Sequence, residues 1–128
     1  MKDQDLLAAA KRVMERAYAP YSKYKVGSAV LMADGSVYEG CNVENANFAN
    51  GICAERTAFV KAVSDGKRDF RVVAVATKAP DAWPCGLCRQ FIAEFGTDIR
   101  IIVEAPNGGI SEMRIGELLP ERIEPAKQ

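Results

Sequence analysis

Residues 53–104 read CAERTAFVKAVSDGKRDFRVVAVATKAPDAWPCGLCRQFIAEFGTDIRIIVE, and the alternation inside this stretch decides the fold. Ala54, Ala58, Phe59, Ala62 and Val63 recur at helical spacing. They predict a helix over Cys53–Ser64, with Gly66 as its C′ residue. Phe70–Thr77 (FRVVAVAT) is nearly continuous β-branched and alanine sequence, the pattern of a strand buried on both faces. Cys85–Phe95 predicts a second helix closed by Gly96, and Asp98–Glu104 (DIRIIVE) a second buried strand. Strand–helix–strand crossovers imply parallel pairing in a central sheet with helices on its faces.

Working outward, residues 5–18 form an amphipathic pattern. Leu6, Leu7, Ala10, Val13, Met14 and Ala17 lie on one helical face, and Pro20 is expected to end the helix. After the polar aromatic turn Tyr21–Tyr24, Lys25–Ala33 and Ser36–Val43 read as two strands of a hairpin around Asp34-Gly35. Glu44–Ile52 is a loop with three asparagines and a glycine. Beyond the central stretch, Asn107-Gly108-Gly109 turns into a short edge strand, Ile110–Arg114. Glu117–Leu119 is a helical turn before Pro120. The polar tail, 121–128, is either mobile or docked on a neighbour. The order is α-β-β-α-β-α-β-β. There are no repeats, linkers or low-complexity segments, so residues 1–128 are expected to form one domain.

The chain has 128 residues, four cysteines and no histidine. The missing histidine excludes Ser-His-Asp and Cys-His nucleophilic chemistry, and the HExxH metal site with them. Any metal must be held by sulfur or oxygen. Basic and acidic residues balance, 17 against 17, which leaves no electrostatic footprint for a nucleic acid. No apolar run approaches the roughly 18 residues of a membrane span. The charged N-terminus lacks a signal-peptide core, so a cytoplasmic protein with reduced thiols is expected.

Cys53 opens the first predicted helix of the central stretch; Cys85 and Cys88 open the second. Both helices follow loops, so both N-termini can project from one side of the sheet. A helix N-terminus lowers a thiol pKa through its partial positive charge and free N–H groups. Three thiolates meeting there make a zinc site with an open fourth position, the mark of a catalytic rather than a structural site. Alone, the Cys85–Cys88 pair also reads as a redox CxxC or half of a structural site. Cys41, eleven intervening residues before Cys53, lacks knuckle spacing and reads as buried packing.

Glu55 stands two residues after a predicted ligand, in the first helical turn. An acid there is favoured by the helix dipole alone. Beside a zinc-bound water it is also placed for general acid/base work, as in zinc deaminases with three cysteine ligands. Three thiolates leave Zn²⁺ with a net charge of −1, which weakens its pull on water. Arg56, three residues after Cys53, and Arg89, directly after Cys88, are candidates to neutralise the thiolates; an exposed helix arginine is the plainer reading.

With these residues assembled, the chain resembles the small homotetrameric cytidine deaminases over about 5–120. The resemblance is carried by Ala19-Pro20-Tyr21-Ser22, Tyr24-Lys25-Val26-Gly27 and Gly40-Cys41-Asn42-Val43-Glu44-Asn45-Ala46. Cys53-Ala54-Glu55-Arg56-Thr57-Ala58, Pro84-Cys85-Gly86-Leu87-Cys88-Arg89-Gln90 and Glu117-Leu118-Leu119-Pro120 complete it. It implies an α/β fold, a three-layer αβα sandwich with a central five-stranded mixed sheet. It also implies a homotetramer with sites shared between subunits. By the same resemblance Asn42 and Glu44 hold the ribose hydroxyls, the Ala54 backbone N–H meets the pyrimidine O2, and Tyr24 packs near the base. Ala46 and Phe48 count among the substrate-binding positions. The chain departs from the family at three places. Phe48 stands where tyrosine is usual, Ile123 where a phenylalanine covers a neighbour's base, and Trp83 immediately precedes Pro84. These bear on the substrate rather than on the reaction.

The expected activity is zinc-dependent hydrolytic deamination of cytidine or deoxycytidine, with Glu55 moving protons and Cys53, Cys85 and Cys88 holding the metal. Two rivals are a deaminase of a modified cytosine nucleoside, favoured by Phe48, Trp83 and Ile123, and a non-enzymatic structural zinc module.

Overall fold

The computed structural model of the chain describes residues 1–125. The rest of the tail expected at 121–128 lies outside the described residues. The elements run α1 (Asp3–Met14), β1 (Gly27–Met32), β2 (Val37–Cys41), α2 (Ala54–Ser64), β3 (Phe70–Ala76), α3 (Gly86–Ala93), β4 (Arg100–Glu104), β5 (Ile110–Arg114) and α4 (Ile115–Leu118). A single 3₁₀ turn, Phe48–Asn50, interrupts the loop before α2.

The five strands form one mixed sheet in the order β2-β1-β3-β4-β5. β1 pairs antiparallel with both β2 and β3, with Val30 opposite Tyr38 on one side and Val73 on the other. β3 and β4 are parallel, Val73 opposite Ile101, as the crossover through α3 requires. The crossover through α2 brings β3 back in the same direction as β2, but one strand further along, with β1 between them. β5 closes the far edge antiparallel to β4.

Side-chain alternation sorts the strands into two cores. Val30, Val73, Val75, Ile101 and Val103 meet α2 and α3 on one face, where Phe59 stacks on Phe70 at 4.0 Å between centroids. Ala29, Val72, Ala74 and Ile102 meet Leu6, Leu7 and Ala10 of α1 on the other. This is the three-layer αβα sandwich. β3 is buried throughout except at Arg71. Full burial of one large apolar side chain stabilises by about 1.5–3 kcal/mol, so these two cores carry the fold.

Two glycines set how closely helices approach the sheet. A Cβ on Gly27 would lie 2.0 Å from the Ala10 carbonyl oxygen, and one on Gly40 would lie 2.5 Å from the Ala58 nitrogen. α1 therefore crosses β1, and α2 crosses β2, at backbone contact.

Some boundaries differ from expectation. The first helix stops at Met14, short of Pro20, and Ala17 is not helical. The chain is extended at Tyr18 instead, because the Tyr18 N–H donates to the Asn42 carbonyl and the Tyr18 carbonyl accepts from the Glu44 N–H. Tertiary pairing overrides the helical period there. α3 likewise ends at Ala93, two residues early. The Asp34-Gly35 turn forms as expected, with Gly35 at φ 87° and the Ser36 N–H donating to Asp34. Gly66 has the positive φ, 84°, of a C′ residue. The start of the tail docks on its own chain, where Ile123 exchanges two backbone-to-side-chain hydrogen bonds with Gln90 of α3.

Candidate metal centre and catalytic cleft

Cys53 and Cys85 are the N-cap residues of α2 and α3. Cys88 follows one turn into α3 and is fully buried. The three sulfurs lie within 4.8 Å of one another, with Cys53 and Cys85 4.0 Å apart. Tetrahedral zinc with bonds of about 2.3 Å separates its sulfur ligands by about 3.8 Å, so the observed spacing fits that ion. The donor set is soft and three in number, which suits zinc with one position left for water. Cys41 ends β2 outside the cluster and is half-buried rather than fully packed away.

The cluster is electrostatically uneven. The Cys53 thiol is lowered to about 6, because the Cys88 and Cys85 thiols hydrogen-bond to its thiolate and the Arg56 guanidinium adds positive charge. Cys88 is pushed up, through its hydrogen bond to Cys53 and its burial. One thiolate thus exists without any metal, which primes the site for a cation.

Glu55 is only 4% exposed. Burial pushes its carboxyl up to about 7, reinforced by the Cys53 charge. Among the described residues no other acid is buried. A carboxyl that changes protonation near neutrality beside a water-binding cation is suited to accept and return protons.

These groups face a cleft of about 660 Å³. The ends of β2, β1 and β3 line it side by side, through Asn42, Val26 and Val75, with the ligand helices above. Tyr24, Glu44, Phe48 and Ala54 open onto the same cleft. The structure thus brings together most of the residues singled out from the sequence. Ala46 is exposed and does not line it.

At the end away from the thiols, two polar side chains brace the wall. The Asn42 amide donates to the Tyr24 carbonyl at 2.9 Å, and its oxygen accepts from the Val26 N–H at 2.8 Å. Glu44 accepts from the Tyr21 and Ser22 backbone N–H groups at 3.0 Å each, and from the Ser22 hydroxyl. These bonds, the Ser22 hydroxyl foremost, hold its carboxyl below the usual range. Each side chain keeps hydrogen-bonding capacity for a ligand: Asn42 one N–H, Glu44 a further lone pair. Ser22 escaped the sequence reading as an individual residue. The Tyr21-Ser22 pair in the polar aromatic turn was its only trace, because its partner is 22 residues away.

The two arginines behave differently. Arg56 donates to the Gly51 carbonyl at 3.1 Å, and its buried Nε has no hydrogen-bond partner among the described residues. Arg89 is neither exposed nor free: its guanidinium ties the Pro84 carbonyl at 2.7 Å to the Leu118 carbonyl at 2.9 Å. It fastens the Pro84–Cys85 loop to α4.

Residues 1–105 match the family model described as the cytidine and deoxycytidylate deaminase zinc-binding region. A cytidine deaminase of Sporosarcina psychrophila is 47% identical over 123 residues, covering 94% of this chain and 90% of that one. One from Halalkalibacterium halodurans is 46% identical, covering 94% and 92%. Among solved structures, a cytidine deaminase from Burkholderia pseudomallei superposes with a TM-score of 0.89 at 41% identity, covering 96% of this chain and all of the other. That from Mycobacterium tuberculosis gives 0.80 at 32% identity, covering 96% and 98%.

Proposed function

Because the chain belongs to the cytidine and deoxycytidylate deaminase family, we propose that it hydrolyses cytidine and deoxycytidine to the uridine nucleosides, releasing ammonia. The observation that carries this is Glu55. It is a buried carboxyl, raised to about 7, standing in the same helical turn as one thiol of a three-thiol cluster.

Cys53, Cys85 and Cys88 are the residues that hold Zn²⁺. When bound, the ion supplies a Lewis acid that brings the pKa of water from 15.7 towards about 7. Glu55 takes the proton from the attacking water and delivers it to N3 of the pyrimidine. Oxygen adds at C4, Glu55 takes the second proton from the new C4 hydroxyl and passes it to the amine as the C4–N4 bond breaks, and water and cytidine thereby become uridine and ammonia. A carboxyl titrating near neutrality can both accept and release that proton without a large uphill step. Asn42 and Glu44 hold the ribose hydroxyls, Tyr24 packs near the base, and the Ala54 N–H, at the uncapped start of α2, receives O2. Phe48, which lines the cleft with Glu44, acts at the sugar end. Arg56 is the better-placed neutraliser of the thiolates, since its buried Nε is still without a partner. Arg89 acts on the same sulfurs indirectly, by fixing the Cys85 loop.

The protein works as a cytoplasmic homotetramer with sites shared between subunits. Association between subunits is supported by Val43, Phe48 and Ile52, apolar residues of the cleft lining left exposed, with Phe48 76% exposed. Light scattering on the purified protein checks the subunit number.

The decisive experiment follows cytidine by its ultraviolet absorbance in wild type and Glu55→Gln, with zinc content measured in both. Loss of at least about 100-fold in turnover with zinc retained is expected, the lower end of the range for general acid/base catalysis. A zinc-loaded wild type that leaves cytidine intact, or a fully active variant, overturns the reading. Arg56→Ala is expected to weaken zinc retention and turnover together; unchanged values remove its assigned role.

A further inference from the structure

The cleft has a wall that the chemistry above does not use. It is formed by Thr77, Ala82, Trp83 and Leu87, from the end of β3 to the first turn of α3. Trp83 is its largest member. It is half-buried and packs against the core beneath α2 and α3. The backbone on both sides of it is pinned. Asp81 adopts the left-handed conformation, φ 60°, donates to the Glu104 carbonyl at 2.9 Å and accepts from the Trp83 N–H at 2.8 Å. On the other side Pro84 is buried, and its carbonyl is held by Arg89 at 2.7 Å. A non-glycine residue kept at positive φ signals a loop whose shape is enforced by its surroundings. The loop backbone that carries the indole is therefore held in place, and the ring packs against the core as one wall of the cleft.

What meets this wall follows from ring geometry, given the reading proposed above. C4 faces the thiols, so N1 and the sugar, para to C4, point to Asn42 and Glu44. O2 and N3 turn towards Ala54 and Glu55, both on α2. C5 is para to C2, so it points away from α2. α2 packs over β1 and β2, whereas α3 makes the crossover from β3 to β4. Away from α2 therefore means towards the α3 side of the cleft, where Trp83 stands two residues before Cys85.

We infer that Trp83 is a specificity-determining residue that closes the C5 edge of the pyrimidine, so that the site admits an unsubstituted C5 and rejects bulky substituents there. It has no part in moving protons or in holding the metal. It acts on which cytosine ring can seat its C4 at the thiol cluster.

The test uses zinc-loaded wild type and the series Trp83→Phe, Trp83→Leu and Trp83→Ala. For each, kcat/KM is measured with cytidine, 5-bromocytidine and deoxycytidine. The electronic effect of bromine is common to all four proteins and cancels when their 5-bromocytidine-to-cytidine ratios are compared. That ratio is expected to rise as the side chain shrinks, by about tenfold or more at alanine, the scale of discrimination by one small group in an apolar pocket. The deoxycytidine-to-cytidine ratio should stay fixed, because the sugar lies at the other end of the cleft. A 5-bromocytidine ratio that does not move, with cytidine still turned over, overturns the inference and leaves the deaminase reading intact. Both ratios shifting together also overturns it, since that marks general loosening. If alanine unfolds the protein, the phenylalanine and leucine variants carry the same graded expectation. A zinc-loaded wild type inert towards cytidine removes the parent reading and this inference with it.

Discussion

Gly40→Ala is a one-carbon change thirteen residues before the first predicted metal ligand, yet it should disable the site. Gly40 lies in β2 directly beneath α2, and its added Cβ would meet the Ala58 nitrogen at 2.5 Å, the Ala54 oxygen at 2.7 Å and the Thr57 Cβ at 2.9 Å. Two of these are helix backbone atoms, which cannot rotate away. Relief to an ordinary contact of about 3.5 Å requires α2 to lift by about 1 Å. The cost in stability is that of overpacking, about 1–3 kcal/mol. The first turn of α2 carries Cys53 as its cap, and Ala54 and Glu55 within it. Catalytic groups must hold position within about 0.5 Å, and a displacement of about 1 Å costs about 100-fold in rate. Urea unfolding, zinc stoichiometry and kcat/KM for cytidine should therefore fall together. Gly35→Ala is the control. Its site is a turn with φ 87° and no atom within 4 Å of the added carbon. It should lose about 1–2 kcal/mol from the left-handed backbone alone and keep its activity. A Gly40→Ala protein that loses stability but keeps wild-type zinc binding and kcat/KM would refute the coupling of helix seating to the site.

Cys53→Ser, Cys85→Ser and Cys88→Ser should each abolish tight zinc binding, whereas Cys41→Ser should retain it; zinc content after dialysis checks both, and loss of zinc from the Cys41 variant contradicts the ligand assignment. Cys53→Ser places a good N-cap residue on α2, so its metal-free form should be no less stable than the metal-free parent, despite the lost site. In metal-free protein Glu55 titrates at about 7 against an ordinary 4.5. The folded state thus favours its protonated form, and stability is full below about pH 4.5 and lost as pH rises through 7. That shift corresponds to about 3 kcal/mol, so the stability advantage of Glu55→Gln over wild type should grow by about that much from about pH 4 to about pH 8. Chelator-treated samples unfolded in urea at the two pH values test it, and a constant difference defeats it. Phe59→Ala removes a fully buried ring stacked on Phe70 and should cost about 3–5 kcal/mol in the same assay.

The central stretch was legible because its signals are local. β3 reads as doubly buried from its own residues, and it is buried on both faces. The three thiols could be grouped because they lie at the starts of two helices, Cys53 on one and Cys85 and Cys88 on the other, and helix starts are written in short range. The position of β1 between β2 and β3 was not legible. Crossover rules fix direction, but the choice of neighbour depends on which faces the helices cover. The early end of α1 was hidden for a related reason, since the Tyr18 backbone pairs with residues 42 and 44. The same holds within the site. Glu44 could be singled out by resemblance, but its grip on Tyr21 and Ser22 spans more than 20 residues of sequence. For Arg89 neither the direct contact with the thiolates nor the solvent-facing alternative revealed its tie to the Leu118 carbonyl, which lies 29 residues away.

The site also explains why both ligand helices break a local rule. Helix N-caps favour serine, threonine, aspartate or asparagine, and a residue that cannot cap costs about 1 kcal/mol. Cys53 and Cys85 occupy this position on α2 and α3 and make no side-chain cap bond. The free N–H groups and positive ends of two helices therefore converge on sulfurs 4.0 Å apart. With serine caps those donors would be consumed by the helices themselves. With cysteine they remain to stabilise thiolates, and they return part of the positive character that three thiolates take from a divalent ion. A histidine-free chain has no neutral imidazole ligand with which to avoid this excess of negative charge. On the function proposed above, the uncapped helix ends and the unpartnered Arg56 Nε would make an all-sulfur ligand set compatible with activating water.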